Sequence, residues 1–234
     1  MQPSFVTPPV PERPRPLGAL AGDALRRPGG RRAISVLSVV LFLAGVVMFA
    51  YPVGTDLYSQ YQQGQLQEAF DDPEVQQAYA ERRIKVGDGL TTLRIPKLDV
   101  EILVVEGTTP AALRAGAGHY ETSPLPGEPG NVAIAGHRTT YGRPFNRMDE
   151  LAEGDVVELE TPLATHTYKA VGDFGGHGNP WVVPPTDFSV VSQEGGGSVL
   201  TLTTCHPKGS AKQRLIMRFE LVKSQTKAPG ATTS

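Results

Sequence analysis

The chain has 234 residues, of which 39% are hydrophobic and 20% are charged. These values are typical of a folded protein, and the length allows one sizeable domain with extensions. The formal net charge of -2 at pH 7 gives no electrostatic reason to expect a nucleic-acid partner. The single cysteine, Cys205, excludes an intramolecular disulfide, so burial must hold the fold together.

Two segments of contrasting composition begin the chain. Residues 1–32 are rich in Pro, Gly and Arg without apolar periodicity, and we expect a disordered tail. Residues 33–51 carry no charge, and as a helix they would span roughly 28 Å, close to the thickness of a bilayer core. We interpret them as a transmembrane helix. A cleaved signal peptide is the alternative, but the run is longer than a usual signal core and lacks a small-x-small cleavage pattern.

Basic residues on the N-terminal side of this run predict its orientation. They are Arg26, Arg27, Arg31 and Arg32. Because positive charge favours the cytoplasmic side, we expect a single-pass plasma-membrane protein with a cytoplasmic N-terminus and an extracellular domain.

Residues 52–86 read as a helical spacer that lifts the domain from the membrane. The pair Asp72-Pro73 predicts a helix restart, with Asp72 as the cap and Pro73 in the first turn. A lid or regulatory segment is the alternative, although no residue here favours it.

From residue 87 the pattern becomes that of short β-strands separated by Gly and Pro. Apolar and alternating runs lie at 93–96, 101–105, 131–135, 155–159, 166–171, 198–205 and 213–221. This spacing predicts a sandwich or a closed barrel. We expect short helices at 109–114 and 144–151, and a flexible tail at 224–234.

Cys205 lies at the end of one of these runs. Strand periodicity places it on one face with Val199, Thr201 and Thr203, while Leu200, Leu202 and Thr204 share the other face. In the next run, the apolar set Leu215, Met217, Phe219 and Leu221 marks the core, so Arg214, Ile216 and Arg218 face away from it. If the intervening loop closes an antiparallel pair, Cys205 and Arg214 emerge side by side on an outer face.

An alternative for Cys205 is a buried core residue, since free cysteine packs well in protein interiors. The polar sequence Thr-Thr-Cys-His-Pro and the outward direction favour a reactive thiol. Only the thiolate is a good nucleophile, so the cysteine needs positive or proton-accepting neighbours.

His137 is the candidate proton carrier. It follows the run 131–135, in which Val132 and Ile134 take the inward face and leave Ala133, Ala135 and His137 outward. The small alanines leave room for an extended ligand, whereas a surface or structural histidine is the alternative. The remaining histidines lack zinc-ligand spacing and no acidic cluster has cation-loop spacing, so we expect no metal.

Three motifs in order resemble the signature of the sortase family. They are Ala-Gly-His at 135–137, Thr-Leu-Thr-Thr-Cys at 201–205, and Arg214, within a match of roughly 87–222. His-Arg-Thr-Thr-Tyr-Gly at 137–142 and Cys-His-Pro-Lys at 205–208 look most like class E sortases.

The resemblance implies a mostly β fold, a closed eight-stranded sortase-type barrel at 87–223 with short helices. It implies a cysteine transpeptidase that needs no cofactor and cleaves a C-terminal LAXTG or LPXTG sorting signal between Thr and Gly. By similarity, Cys205 is the nucleophile, His137 the general acid and base, and Arg214 the group that positions substrate and stabilises the oxyanion. The expected substrate-binding residues are Tyr120, Thr203, Thr204 and Tyr141; for Tyr120 a core tyrosine, and for Thr204 a plain strand threonine, are the alternatives.

The partners implied are secreted proteins that carry the sorting signal and the amine of a lipid II-like peptidoglycan precursor. Two other functions remain open. One is another extracellular cysteine peptidase or transpeptidase acting on wall peptides, although the Ser-His-Gly-Cys cluster of L,D-transpeptidases is absent. The other is a non-catalytic β-domain that binds wall or secreted proteins.

Overall fold

The computed structural model describes residues 28–70, 72–193 and 197–227. The chain divides into two compact units, one ending at Ala50 and the other beginning at Tyr51. The tail expected at 1–32 and the end of the chain beyond residue 227 lie largely outside the described residues.

Helix α1 runs from Pro28 to Phe70 without interruption. Its apolar stretch is long enough to cross a membrane, judged by length and composition, and none of it is buried. The sequence pattern separated a membrane helix at 33–51 from a spacer starting at 52, whereas the structure has one helix that continues through Pro52.

The helix restart predicted at Asp72-Pro73 is confirmed. Helix α2 spans Pro73–Ala80, and the Asp72 carboxylate accepts a hydrogen bond from the Glu74 N–H. The expected spacer is packed against the β-domain rather than standing free of it, because Phe70 and Tyr79 are both buried.

Eight strands form a closed mixed barrel, as the family resemblance implies, whereas the strand pattern alone left a sandwich open. Their spatial order is β10-β4-β3-β2-β1-β5-β6-β11, closed by the β10–β11 pair, and β9 adds to the free edge of β11. The pairs β2–β3 and β4–β10 are parallel and the others are antiparallel. The strands are β1 Gly89–Ile95, β2 Val100–Glu106, β3 Ala117–His119, β4 Gly130–Ala135, β5 Val156–Glu160, β6 Ala164–Ala170, β7 Asp173–Phe174, β8 His177–Gly178, β9 Trp181–Val183, β10 Ser198–His206 and β11 Gln213–Thr226.

The barrel interior is filled by the side chains that period-2 alternation assigned to it. Leu200, Leu202, Val132, Ile134 and Phe219 are all fully buried in one cluster. Burial of each such side chain contributes about 1.5–3 kcal/mol, which fixes the register of the strands that carry the candidate site.

Alternation alone suggested that the outer face of β10 and β11 is open to water along its whole length. The structure shows that part of this face is covered. Ile216 is fully buried against Val183 and Val190, which belong to the segment that connects β6 to β10. Arg218 is buried as well, and its guanidinium donates to Thr201 Oγ1 at 3.0 Å and to the Val190 carbonyl at 2.6 Å. The Cys205 end of this face stays partly accessible, as does the opposite end, where Val199 pairs with the exposed Glu220.

Burial without a carboxylate in contact, among the described residues, lowers the pKa of Arg218 to about 10. The ring of Phe174 lies 4.0 Å from its guanidinium carbon, which offers a cation–π contact in place of an ion pair.

Of three local predictions, the first is confirmed and the other two are wrong. The helix expected at 109–114 is α3, Pro110–Ala115, with Thr109 as its cap. The helix expected at 144–151 is only a 3-10 turn at Met148–Glu150, because Phe145, Met148 and Leu151 turn into the barrel core. Residues 224–226, expected in a flexible tail, extend β11 and pair with β6.

Candidate active site

Cys205 lies next to the last residue of β10, with a half-buried side chain. Its direct cross-strand partner on β11 is Arg214. The side-by-side arrangement predicted from alternation is therefore confirmed, because the short loop between the strands closes an antiparallel pair with no register shift. The core alternative for Cys205 does not hold, since the core is filled from the opposite strand face.

His137 reaches the same end of the barrel from β4. Strands β4 and β10 are parallel, and Ala135 is level with Thr203. Pairing continues one step beyond the strand, because the Gly136 N–H donates to the Thr203 carbonyl at 3.1 Å. Continued two residues beyond Ala135, the same register would set His137 level with Cys205.

The imidazole of His137 is half-buried beside an aromatic ring. The ring of Tyr141 lies 5.2 Å from it, centroid to centroid, and is tilted by 39°. Burial lowers the pKa of His137, and the nearby Arg114 guanidinium lowers it further. His137 is therefore poised as the neutral imidazole that a general base requires.

Arg214 is held by the loop that it closes. Its Nη1 donates to the carbonyl oxygens of Ala211 and Gln213, each at 3.0 Å. These bonds fix the guanidinium beside Cys205 and leave its other N–H donors for a ligand.

Tyr120 follows β3 and comes close to both of these groups. Burial raises the pKa of its phenol, Arg214 opposes that rise, and Cys205 adds to it. Tyr120 is partly exposed, and its assignment to substrate binding stays a prediction.

The two candidate threonines have different surroundings. Thr203 shares the strand face of Cys205 and is buried beside Ala135. Thr204 points to the opposite face, and its hydroxyl donates to the Gly136 carbonyl at 2.7 Å. Thr204 therefore ties β10 to the residue before His137, which matches the alternative of a structural strand threonine and argues against a substrate contact.

Ala133 also departs from the prediction that small residues leave open space before His137. It is fully buried. Of the two alanines, Ala135 is the one that is partly exposed, so the room for a ligand is confined to the end of this strand face near His137.

Arg138 is a site residue that motif reading did not single out. It is 3% exposed, and its Nη1 lies 2.9 Å from His206 Nδ1 and 3.4 Å from the Cys205 carbonyl. Its Nη2 pairs with Asp149 at 2.9 Å. The guanidinium thus ties the backbone of the candidate nucleophile to the 146–149 turn. The available signal was parity, because Arg138 continues the inward-facing series of Val132 and Ile134 beyond the end of β4, and a buried charge needs buried partners.

A thiol, a neutral imidazole and a fixed guanidinium at one open end of a barrel can support acyl transfer. The thiolate attacks a carbonyl, the imidazole moves protons, and the guanidinium with backbone N–H groups stabilises an oxyanion. Within the described parts of the chain, no cluster of three or more metal-ligating side chains lies here or elsewhere.

The fold and this group of side chains define a β-barrel protein of the cysteine acyl-transfer type. The family model described as "Sortase domain" matches residues 93–222 of the sequence. The chain belongs to the sortase family, whose members are cysteine transpeptidases.

Similar proteins place the chain with class E. It is 32% identical over 158 residues to "Sortase SrtE1" of Streptomyces coelicolor, covering 62% of this chain and 43% of that protein. It is 28% identical over 239 residues to "Sortase SrtE2" of the same organism, covering 87% and 88%. The crystal structure of Sortase E1 from Streptomyces coelicolor with a tripeptide in the active site superposes with a TM-score of 0.54 and 31% identity, covering 62% of this chain and 94% of that one. The chain thus spans less than half the length of SrtE1.

Proposed function

We propose that this protein is a membrane-anchored sortase. It cleaves a C-terminal sorting signal of the LAXTG or LPXTG type between Thr and Gly and transfers the protein to the amine of a lipid II-like wall precursor. The observation that carries the proposal is the direct pairing of Cys205 with Arg214, at the level that His137 reaches from the neighbouring strand.

The reaction divides into two steps, and in each step one bond to the acyl carbon is exchanged for another. His137 takes the proton of the Cys205 thiol as Sγ attacks the threonine carbonyl, and it delivers that proton to the departing amine when the C–N bond to glycine breaks. The resulting thioester is then attacked by the acceptor amine, which loses a proton to His137 as the C–S bond breaks. Arg214 stabilises the oxyanion of both tetrahedral intermediates.

Substrate class is supported by the tripeptide in the active site of the related Sortase E1 structure. We propose that the peptide lies over the Cys205 end of this face, next to Ala135, with Tyr120 and Tyr141 at its borders. An extended peptide fits such a face because successive side chains alternate.

The membrane anchor rests on the apolar run 33–51 of helix α1. The arginines before it favour a cytoplasmic N-terminus and an extracellular β-domain. Reporter fusions at the two termini test this orientation: a cytoplasm-dependent reporter is active at the N-terminus only, and activity at the C-terminus overturns it.

Mass spectrometry of the full chain in detergent, mixed with a sorting-signal peptide, tests the activity. We expect an adduct on Cys205 with the mass of the peptide truncated after threonine, and its discharge by a small amine. Cys205→Ala is the control and forms no adduct. Cleavage of wall peptides without an adduct would instead identify a wall peptidase, and binding without either product would identify a non-catalytic domain.

A further inference from the structure

The loop after His137 contains an unusual turn. Tyr141, Gly142 and Arg143 have φ values of 52°, 74° and 49°, three consecutive residues in the left-handed region. Two of the three carry side chains, which makes the conformation costly, by about 1–3 kcal/mol for each such residue. Such a turn persists only where other contacts hold it.

Asp56, on helix α1, makes those contacts. Its Oδ1 accepts a hydrogen bond from the Gly142 N–H at 3.0 Å, and its Oδ2 pairs with Arg143 Nη2 at 2.8 Å. The carboxylate side chain is only 19% exposed, so the ion pair and the hydrogen bond are shielded from water on that side.

Neighbouring residues of the helix pack against the same turn. The ring of Tyr58 meets the edge of Tyr141 at 6.3 Å between centroids. A side-chain carbon at Gly142 would lie 3.0 Å from Ser59 Oγ, so the turn and the helix are in close contact.

The helix itself is fixed to the barrel one turn further on. The Gln63 side chain accepts from the Leu103 N–H at 2.8 Å and donates to the carbonyls of Leu103 and Ala115 at 3.0 and 2.9 Å. The chain of contacts therefore runs from the barrel through Gln63 and Asp56 to the turn, and from Tyr141 to His137.

We propose that Asp56 is a positioning residue for the catalytic histidine: its carboxylate holds the 141–143 turn so that Tyr141 stacks on His137. The inference rests on the proposed function, because it assigns the helix that follows the membrane run a part in acyl transfer. The segment expected to be a passive spacer is then part of the active site.

Loss of the carboxylate frees the turn to relax from its left-handed conformation, and Tyr141 moves off the imidazole. The imidazole gains water and becomes less well aimed. Displacement of a catalytic group by about 1 Å costs up to about a hundredfold in rate.

The test uses the full chain in detergent micelles, a sorting-signal peptide and a small acceptor amine. For Asp56→Ala we expect kcat to fall roughly tenfold while KM rises less than about twofold, because the turn aims His137 and only Tyr141 of its three residues borders the proposed peptide groove. We also expect the acid limb of the kcat/KM profile to move to higher pH, because burial is what lowers the pKa of His137.

Asp56→Asn keeps the acceptor for the Gly142 N–H and removes the charge facing Arg143, so its kcat should fall by about threefold. It carries the same test if Asp56→Ala does not fold. Glu68→Gln, an exposed acid on the same helix, is the matched control and should leave both kcat and the pH profile unchanged.

Wild-type rates and an unchanged profile in the Asp56 variants would overturn the inference. So would a loss that only follows the folded fraction with the profile unmoved, since that is a purely structural effect. A wild-type chain that forms no acyl-enzyme would overturn the proposed function itself, which separates the two failures.

Discussion

Cys205 and Arg214 are direct cross-strand partners on β10 and β11, so their side chains leave the same face of the barrel at the same level. Their spacing is set by the sheet, because opposed residues in an antiparallel pair hold their β-carbons about 5 Å apart. The loop carbonyls of Ala211 and Gln213 then fix the guanidinium. The strand pairing and the loop carbonyls thus place Arg214 beside Cys205. Among the described residues, neither a metal-ligand cluster nor a disulfide takes part.

This pairing leads to the first prediction. Arg214→Ala should slow formation of the Cys205 thioester by about 10²–10³-fold, as expected for loss of one oxyanion donor. Arg214→Lys restores the charge without the planar fork, so it should recover only part of the rate. Single-turnover mass spectrometry with a sorting-signal peptide measures both. Lys212→Ala, exposed on the same loop, is the control, and an Arg214→Ala rate equal to it would contradict the assignment.

The second prediction concerns pH. The pKa of His137 lies below its ordinary value of 6.5, first because of burial and then because of Arg114. A lowered pKa keeps the imidazole neutral further into acid, so the acid limb of kcat/KM should lie below pH 6.5. The same lowered pKa makes stability depend on pH. As pH falls, His137 takes up a proton in the unfolded chain before it does so in the folded chain, so the folded state loses stability as pH falls through 6.5.

Removal of the neighbouring charge provides the check. Arg114→Gln should move the acid limb to higher pH, though not back to 6.5, because burial remains. High salt should reproduce part of that movement in the wild type, since Arg114 is exposed. The Arg147→Gln variant removes an equal charge that does not act on His137 and should leave the limb in place. A limb that moves to lower pH in Arg114→Gln would contradict the electrostatic account.

The third prediction concerns Arg138. Arg138→Ala deletes its bonds to Asp149, His206 and the Cys205 carbonyl, and we expect the free energy of unfolding to fall by about 2–3 kcal/mol. The thioester rate should fall too, because the backbone of Cys205 loses its brace. Denaturant unfolding and the single-turnover assay measure the two effects.

Arg147→Ala is the matched control for stability. Among the described residues Arg147 pairs with Glu150 alone, and both side chains are about half exposed, so the change should be within about 0.5 kcal/mol. Equal stability of the two variants would show that the buried contacts of Arg138 contribute nothing beyond a surface pair.

Sequence reasoning found the parts of the site that depend on local alternation. Cys205 and Arg214 sit in two strands joined by a short loop, so their parity and their pairing both follow from nearby residues. Placing His137 at the site required a family motif in addition. The parallel pairing of β4 with β10 joins segments about 70 residues apart, and neither segment carries a sequence pattern that shows which strand it pairs with.

The residues that were missed act over long distances along the chain. Asp56 lies 86 residues before Gly142, and no periodicity links a helix to a turn in a distant loop. Alternation also assigned Ile216 and Arg218 to an open face, since it reports which way a side chain points and not what covers it. The segment that covers them includes β7, β8 and β9, each too short to leave a strand pattern.

The last prediction concerns substrate choice. Tyr120 lies within electrostatic reach of Cys205 and Arg214. If its ring fills the space that a proline at the second signal position would need, the wild type should prefer an LAXTG peptide to an LPXTG peptide. Tyr120→Ala should open that space and reduce the ratio of the two kcat/KM values by about tenfold, mainly through a gain on the LPXTG peptide.

Tyr120→Phe separates shape from the phenol hydroxyl, because it keeps the ring and should keep the preference. Competition between the two peptides, followed by mass spectrometry of the Cys205 adducts, gives the ratio directly and does not depend on the amount of active protein. An equal ratio in wild type and Tyr120→Ala would remove Tyr120 from the specificity of the groove, while a loss of both activities in parallel would assign the ring to catalysis at Cys205 instead.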